Sequence, residues 1–117
     1  PFSGMPDDQL SALAGETFDP DALLDYQNGA IVSRTLVDRG STTITVFAVD
    51  AGQSISEHTA HHDAIMQVLD GTANVTIDED AYAVPAGEAL VFPAGEPHAL
   101  HGEERFKMLL TMVAGED

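Results

Sequence analysis

From residue 29 onward the chain alternates short apolar or β-branched runs with turn residues. AIVSRTLV (30–37) is followed by the turn DRGS, and TTITVFAV (42–49) by DAGQS. AIMQVL (64–69) and TANVTI (72–77) flank the turn Asp70–Gly71. AYAV (81–84), ALVF (89–92), HAL (98–100) and FKMLLTMV (106–113) follow, separated by DED, PAGE, PAGEP and HGEER punctuation. Short strands at this spacing, with a turn signal between each, predict an all-β barrel or sandwich. Residues 29–117 have no helical periodicity, so we expect one β-barrel domain there. Residues 1–28 hold Pro1, Pro6, Pro20, Gly4 and Gly15. They read as an N-terminal arm in which Asp19 caps a turn of helix that has Pro20 at its first position.

The chain has 117 residues, 44% of them hydrophobic, which suits one core and one domain. It has no cysteine, so disulfides and thiolate metal sites are excluded. No apolar run approaches the roughly 18 residues of a bilayer span, and PFSGMPDDQL lacks the basic start of a signal peptide. A cytoplasmic location is expected. Twenty acids face four bases (Arg34, Arg39, Arg105 and Lys107), for a net charge of −16. Nucleic acids and anionic membranes are therefore poor partners, because both are held by clustered cations. Acids scattered over the whole chain fit a high-salt cytoplasm, where screening relieves self-repulsion.

The chemistry lies in two histidine clusters. EHTAHHD holds His58, His61 and His62, and GEPHALHG holds His98 and His101. Pairing of the strands that carry them would bring the clusters together across the barrel mouth. Converging imidazoles favour Zn, Ni, Fe, Mn or Cu over Mg or Ca. His61 follows one residue before His62, and His101 three after His98, so each should face away from its neighbour on extended chain. Glu57 and Asp63 flank the first cluster as possible hydrogen-bond acceptors for a ligating ring. Met66, Met108 and Met112 read as core filler that could also line an apolar pocket.

The second cluster closely resembles the second cupin motif. Gly87 is followed by five residues, then Pro93, Ala94, Gly95, two residues and His98; Gly102 stands where an Asn is frequent. The first cluster resembles the first cupin motif in part, through Gly52, five residues, His58, and VLDG closing at Gly71. The resemblance spans about residues 29–113 and implies a double-stranded β-helix, the cupin jelly roll. The family usually has a second His and a Glu where this chain has Ala60 and Ala64. His62 and Gln67 are substitutes at the family's five-residue step, and the sequence is similar to a subgroup in which that Gln is usual. The resemblance thus implies one divalent transition metal on His58, His62, Gln67 and His98. Strand parity bears on Gln67: if position 64 points inward, Gln67 points outward unless a bulge follows the histidines.

A metal with open positions fits an enzyme acting on a small organic molecule, of dioxygenase, isomerase or cyclase type. The alternative is a non-catalytic metal or small-molecule binding or sensor barrel, since a fold alone does not decide function. A small barrel with open edges also predicts a homodimer, with the arm and AIVSRTLV laid across a second copy. The charge yields the first prediction. The melting temperature should rise from low to molar KCl, because ions screen repulsion beyond a Debye length of about 8 Å at physiological strength. A flat or falling melting temperature over that range removes the high-salt reading.

Overall fold

We describe a computed structural model, for residues 9–59 and 62–113, leaving aside the side chains of residues 57–59. Eight strands form antiparallel pairs: β1 (Ile31–Asp38), β2 (Thr42–Val49), β3 (Ser54–Thr59), β4 (Asp63–Ile77), β5 (Asp80–Pro85), β6 (Ala89–Phe92), β7 (Pro97–His101) and β8 (Phe106–Val113). Their order is β1-β2-β8-β4-β7-β3, with β5 and β6 also paired to β4. The result is the expected all-β jelly-roll barrel.

Strand β4 belongs to both walls. Its first half pairs with β6 and β8, and its second half with β5 and β7. The sequence reading split this segment into two strands at Asp70–Gly71, whereas the structure keeps one strand and bends it there. In the first half Ala64, Met66 and Val68 are buried; in the second, Ala73, Val75 and Ile77 are. The inward positions change from even to odd. A bulge between Val68 and Asp70 supplies the extra residue. Without it Thr72, Asn74 and Thr76 would face the core. Gly71 completes the bend at φ 73°, and a Cβ there would collide with the Arg105 carbonyl oxygen.

The interior core contains Val49, Met66, Val75, Phe92, Leu100, Phe106 and Met108. Burying each large side chain contributes about 1.5–3 kcal/mol. A second apolar layer lies outside the barrel. There Leu36, Val37 and Val46 pack against Leu10, Leu13, Leu23, Leu24 and Leu109. Residues 9–28 form this cover, with a helical turn at Leu10–Leu13 and a 3-10 turn at Pro20–Leu23. Asp19 caps the latter as predicted, its carboxylate accepting from the Asp21 N–H at 3.0 Å.

Three of the chain's four cations hold this cover down. Arg34 donates to the Gln9 side-chain oxygen at 2.6 Å and to the Leu23 carbonyl at 3.0 Å. The buried Lys107 ammonium donates to the Asp21 carbonyl at 2.7 Å and lies 3.3 Å from its carboxylate. Arg105 stacks over the Tyr26 ring at 4.5 Å. The Tyr26 hydroxyl donates to the Asp70 carboxylate at 2.6 Å. Burial, then that carboxylate, holds the phenol well above its usual range. The sequence reading treats residues 1–28 as an arm that packs on the domain and could cover the edge of a second copy; within one chain, residues 9–28 pack on their own barrel.

Gly71→Ala should lower the urea midpoint without changing the slope, at a cost of about 2–4 kcal/mol, from the positive φ and the collision together. An unchanged midpoint would show that β4 does not depend on the bend at Gly71.

Candidate metal centre

The turn 93–96 aims β7 into the barrel. Gly95 takes φ 86°, and the Glu96 N–H reaches the Pro93 carbonyl at 3.4 Å. Asp63 fastens this turn to the start of β4 by accepting from the Ala94 N–H at 2.8 Å. That is a backbone role, whereas the sequence alone makes a solvated carboxylate the default for Asp63 and an acceptor for a ligating ring the alternative. On β7, His98 and Leu100 are buried while His101 is exposed.

His98 is 6% exposed, and its ring stacks on Phe92 at 4.6 Å between centroids and 23° between planes. Its Nδ1 lies 3.3 Å from the Glu96 carbonyl oxygen. A carbonyl can only accept, so Nδ1 carries the proton in this contact. The neutral ring then keeps its lone pair on Nε2, the form in which imidazole ligates a metal. Sequence reasoning missed Phe92 as the residue that sets the ring plane. Its place in ALVF marked it only as a strand residue.

Position 58 lies directly across from His98 in the β3–β7 pairing. Ile55 pairs with Leu100, so three steps on β3 match two on β7, and the irregularity between them makes up the difference. Directly opposed residues share a sheet face. The two histidine motifs are therefore adjacent in the backbone, as predicted. The side chains of Glu57 and His58, and all of His61, lie outside the described residues.

The other two expected ligands differ. His62 sits exposed on the bend that leads into β4. Gln67 is exposed on the outer face of β4, between the inward Met66 and Val68. No bulge precedes it; the register stays regular from Asp63 to Val68. The parity argument thus sets Gln67 on the opposite face of β4 from the barrel interior, and the structure does not bring it together with His98. His101 faces outward as expected, its Nδ1 2.6 Å from the Ser54 hydroxyl.

His98 opens into an interior cavity of about 320 Å³. Its other described lining residues are Ile31, Phe47, Ile55, Ala64, Phe92, Leu100, Met108, Leu110 and Met112, all apolar. A larger recess of about 550 Å³ lies on the outer face of β3, β7, β4 and β5 and includes Ser54, Asn74, Tyr82 and His101. The interior cavity is the one His98 borders. Among the described residues no three His, Asp or Glu side chains gather around a point. The donor set nonetheless fits a transition metal in kind: a buried, oriented imidazole, a histidine position opposite it, and a further histidine on the adjoining bend. Ala64 supplies no carboxylate.

Residues 45–113 match the family model described as cupin domain. The chain is similar to a solved structure of a conserved protein of unknown function from Streptococcus pyogenes, at 41% identity, over 88% of this chain and 90% of that one, with TM-score 0.84. It is similar to a cupin 2 conserved barrel domain protein from Leptotrichia buccalis at 40% identity, over 77% of this chain and 44% of that one, with TM-score 0.75. A cupin superfamily protein from Desulfitobacterium hafniense matches at 26% identity, over 86% and 93%, with TM-score 0.82. No curated protein matches the chain.

If His98 carries the metal and His101 does not, His98→Ala should weaken metal binding by more than about tenfold, the least that loss of a supporting group usually causes. His101→Ala should leave it unchanged. Equal loss in both variants, by elemental analysis after dialysis, sinks the assignment.

Proposed function

The chain belongs to the cupin family, and on that premise we propose that it is a metal-binding small cupin acting as a metal-dependent enzyme on a small organic molecule. The observation that carries this is His98: buried, stacked on Phe92, with Nδ1 committed to a carbonyl and the ring bordering a cavity. His58 and His98 would hold the metal, with His62 as the third nitrogen donor. Gln67 is left out of this set because it lies on the outer face. A divalent metal held by neutral imidazoles supplies Lewis acidity and open positions for a substrate oxygen.

This chain's own residues do the rest. The Glu96 carbonyl and Phe92 orient the His98 ring before any ligand arrives, so that ring needs little ordering on binding. The apolar walls exclude water and strengthen electrostatic interactions at the His98 end. Dioxygenase, isomerase and cyclase types all remain within this reading. A non-catalytic binding or sensor barrel is the second reading. It is favoured by one observation: among the described cavity residues His98 is the sole group able to act as acid, base or nucleophile. A cytoplasmic homodimer belongs to the same proposal, with β1 at the edge of the strand order.

The test is elemental analysis of the purified full chain, light scattering on the same sample, and oxygen uptake with catechols and diketones. A stoichiometric redox-active metal with turnover supports the enzyme. Metal without turnover of any candidate moves the assignment to the binding barrel. A protein that takes up no transition metal overturns the metal reading, and a 12.4 kDa species at every salt concentration overturns the dimer.

A further inference from the structure

The interior cavity contains no described charge. Apart from His98, its described walls are apolar, including Phe47, Ala64, Leu110 and Met112. None of the four cations lines it. Arg34, Arg105 and Lys107 are engaged outside the barrel with residues 9–28. Arg39 lies in the turn between β1 and β2. A ligand carboxylate or phosphate in the cavity would thus lose its hydration and find no described cation on the wall. That is strongly unfavourable when no partner compensates. The net charge of −16 also repels anions at longer range, most strongly at low salt.

Hydroxyl-rich ligands fare little better. A sugar needs a hydrogen-bond partner for nearly every hydroxyl it buries, and His98 is the one polar side chain described on the wall. The volume of about 320 Å³ is at the small end of ligand pockets.

We propose that this cavity selects a small, uncharged, mostly apolar molecule with a single polar group, seated so that the polar group lies at the His98 end and the body fills the space between Ala64, Phe47 and Met112. This rests on the enzyme reading only for the place of the site; it concerns the metal-free cavity, because a bound divalent ion would itself give a ligand carboxylate a cationic partner.

The experiment is calorimetric titration of the full chain, dialysed against a chelator, with matched neutral and anionic probes: benzamide against benzoate, cyclohexanecarboxamide against cyclohexanecarboxylate, and 4-methylpentanamide against 4-methylpentanoate. At least one amide should bind, and more tightly than its carboxylate by about tenfold or more, the smallest ratio that an uncompensated buried charge would give. Ala64→Leu, which fills the cavity, should weaken amide binding by about tenfold or more. A carboxylate that binds as tightly as its amide overturns the inference, and so does the absence of binding by every amide. Because the comparison uses the wild-type chain, it stands even if the filled variant does not fold. Metal uptake measured on the same protein separates the two claims. Amide preference without metal uptake sinks the metal reading alone, and metal uptake with carboxylate preference in the chelated protein sinks this inference alone.

Discussion

Everything inside the barrel depends on one strand serving two walls. β4 runs for 15 residues and pairs with four other strands. A strand has one inward face at a time, and its side chains alternate with period two. To keep apolar residues inward in both halves, β4 must gain one residue where it changes walls. The bulge before Asp70 and the left-handed Gly71 do this. The same alternation places Ala64 inside and Gln67 outside. The alternation upstream of the bulge thus sets the β4 contribution to the cavity, Ala64, and the bulge keeps Ala73, Val75 and Ile77 in the core beyond it.

A related division governs charge. With 20 acids and four bases, the chain cannot pair most of its carboxylates. Three of its bases instead meet backbone carbonyls, a side-chain amide, one carboxylate and an aromatic ring on residues 9–28. Lys107 is buried, so its contacts are screened less by salt than a surface pair would be, whereas Arg34 is partly buried and Arg105 exposed. Cations used on the outer layer are not available to the cavity. The fastening of the cover and the lack of a lysine or arginine on the cavity wall are thus two sides of one distribution.

The features legible in the sequence were those with local signals. Turn chemistry marked most strand ends, Asp19–Pro20 marked the 3-10 turn, and the Gly87–Pro93–Gly95–His98 spacing marked His98, the one candidate ligand that is buried among the described side chains. Strand β3 escaped because Ser54–Thr59 offers only Ile55 as an apolar residue, and pairing with β7 makes it a strand. Asp70–Gly71 read as a hairpin turn because a glycine after an acid signals one; partners on both sides convert it to a bend within a strand. Gln67 lies in IMQVL, where both faces are apolar, and only pairing reveals which face is inward. Which strands Leu10, Leu13, Leu23 and Leu24 cover was illegible because their partners lie far along the chain, on β1, β2 and β8.

Ala64 is where these constraints meet the chemistry. The family resemblance places a carboxylate at this position. Here a buried methyl group borders the cavity instead, in line with Met66 and Val68. The exchange removes a donor and a negative charge and leaves room for a ligand in the space a longer side chain would fill. A metal held by imidazoles alone would keep its full charge, and low-dielectric walls strengthen its pull on a polar group nearby. The described walls offer no other polar side chain to compete for that group. On the proposed reading, recognition would be split by position: the histidine end would choose the functional group, and the apolar end the size and shape of what carries it.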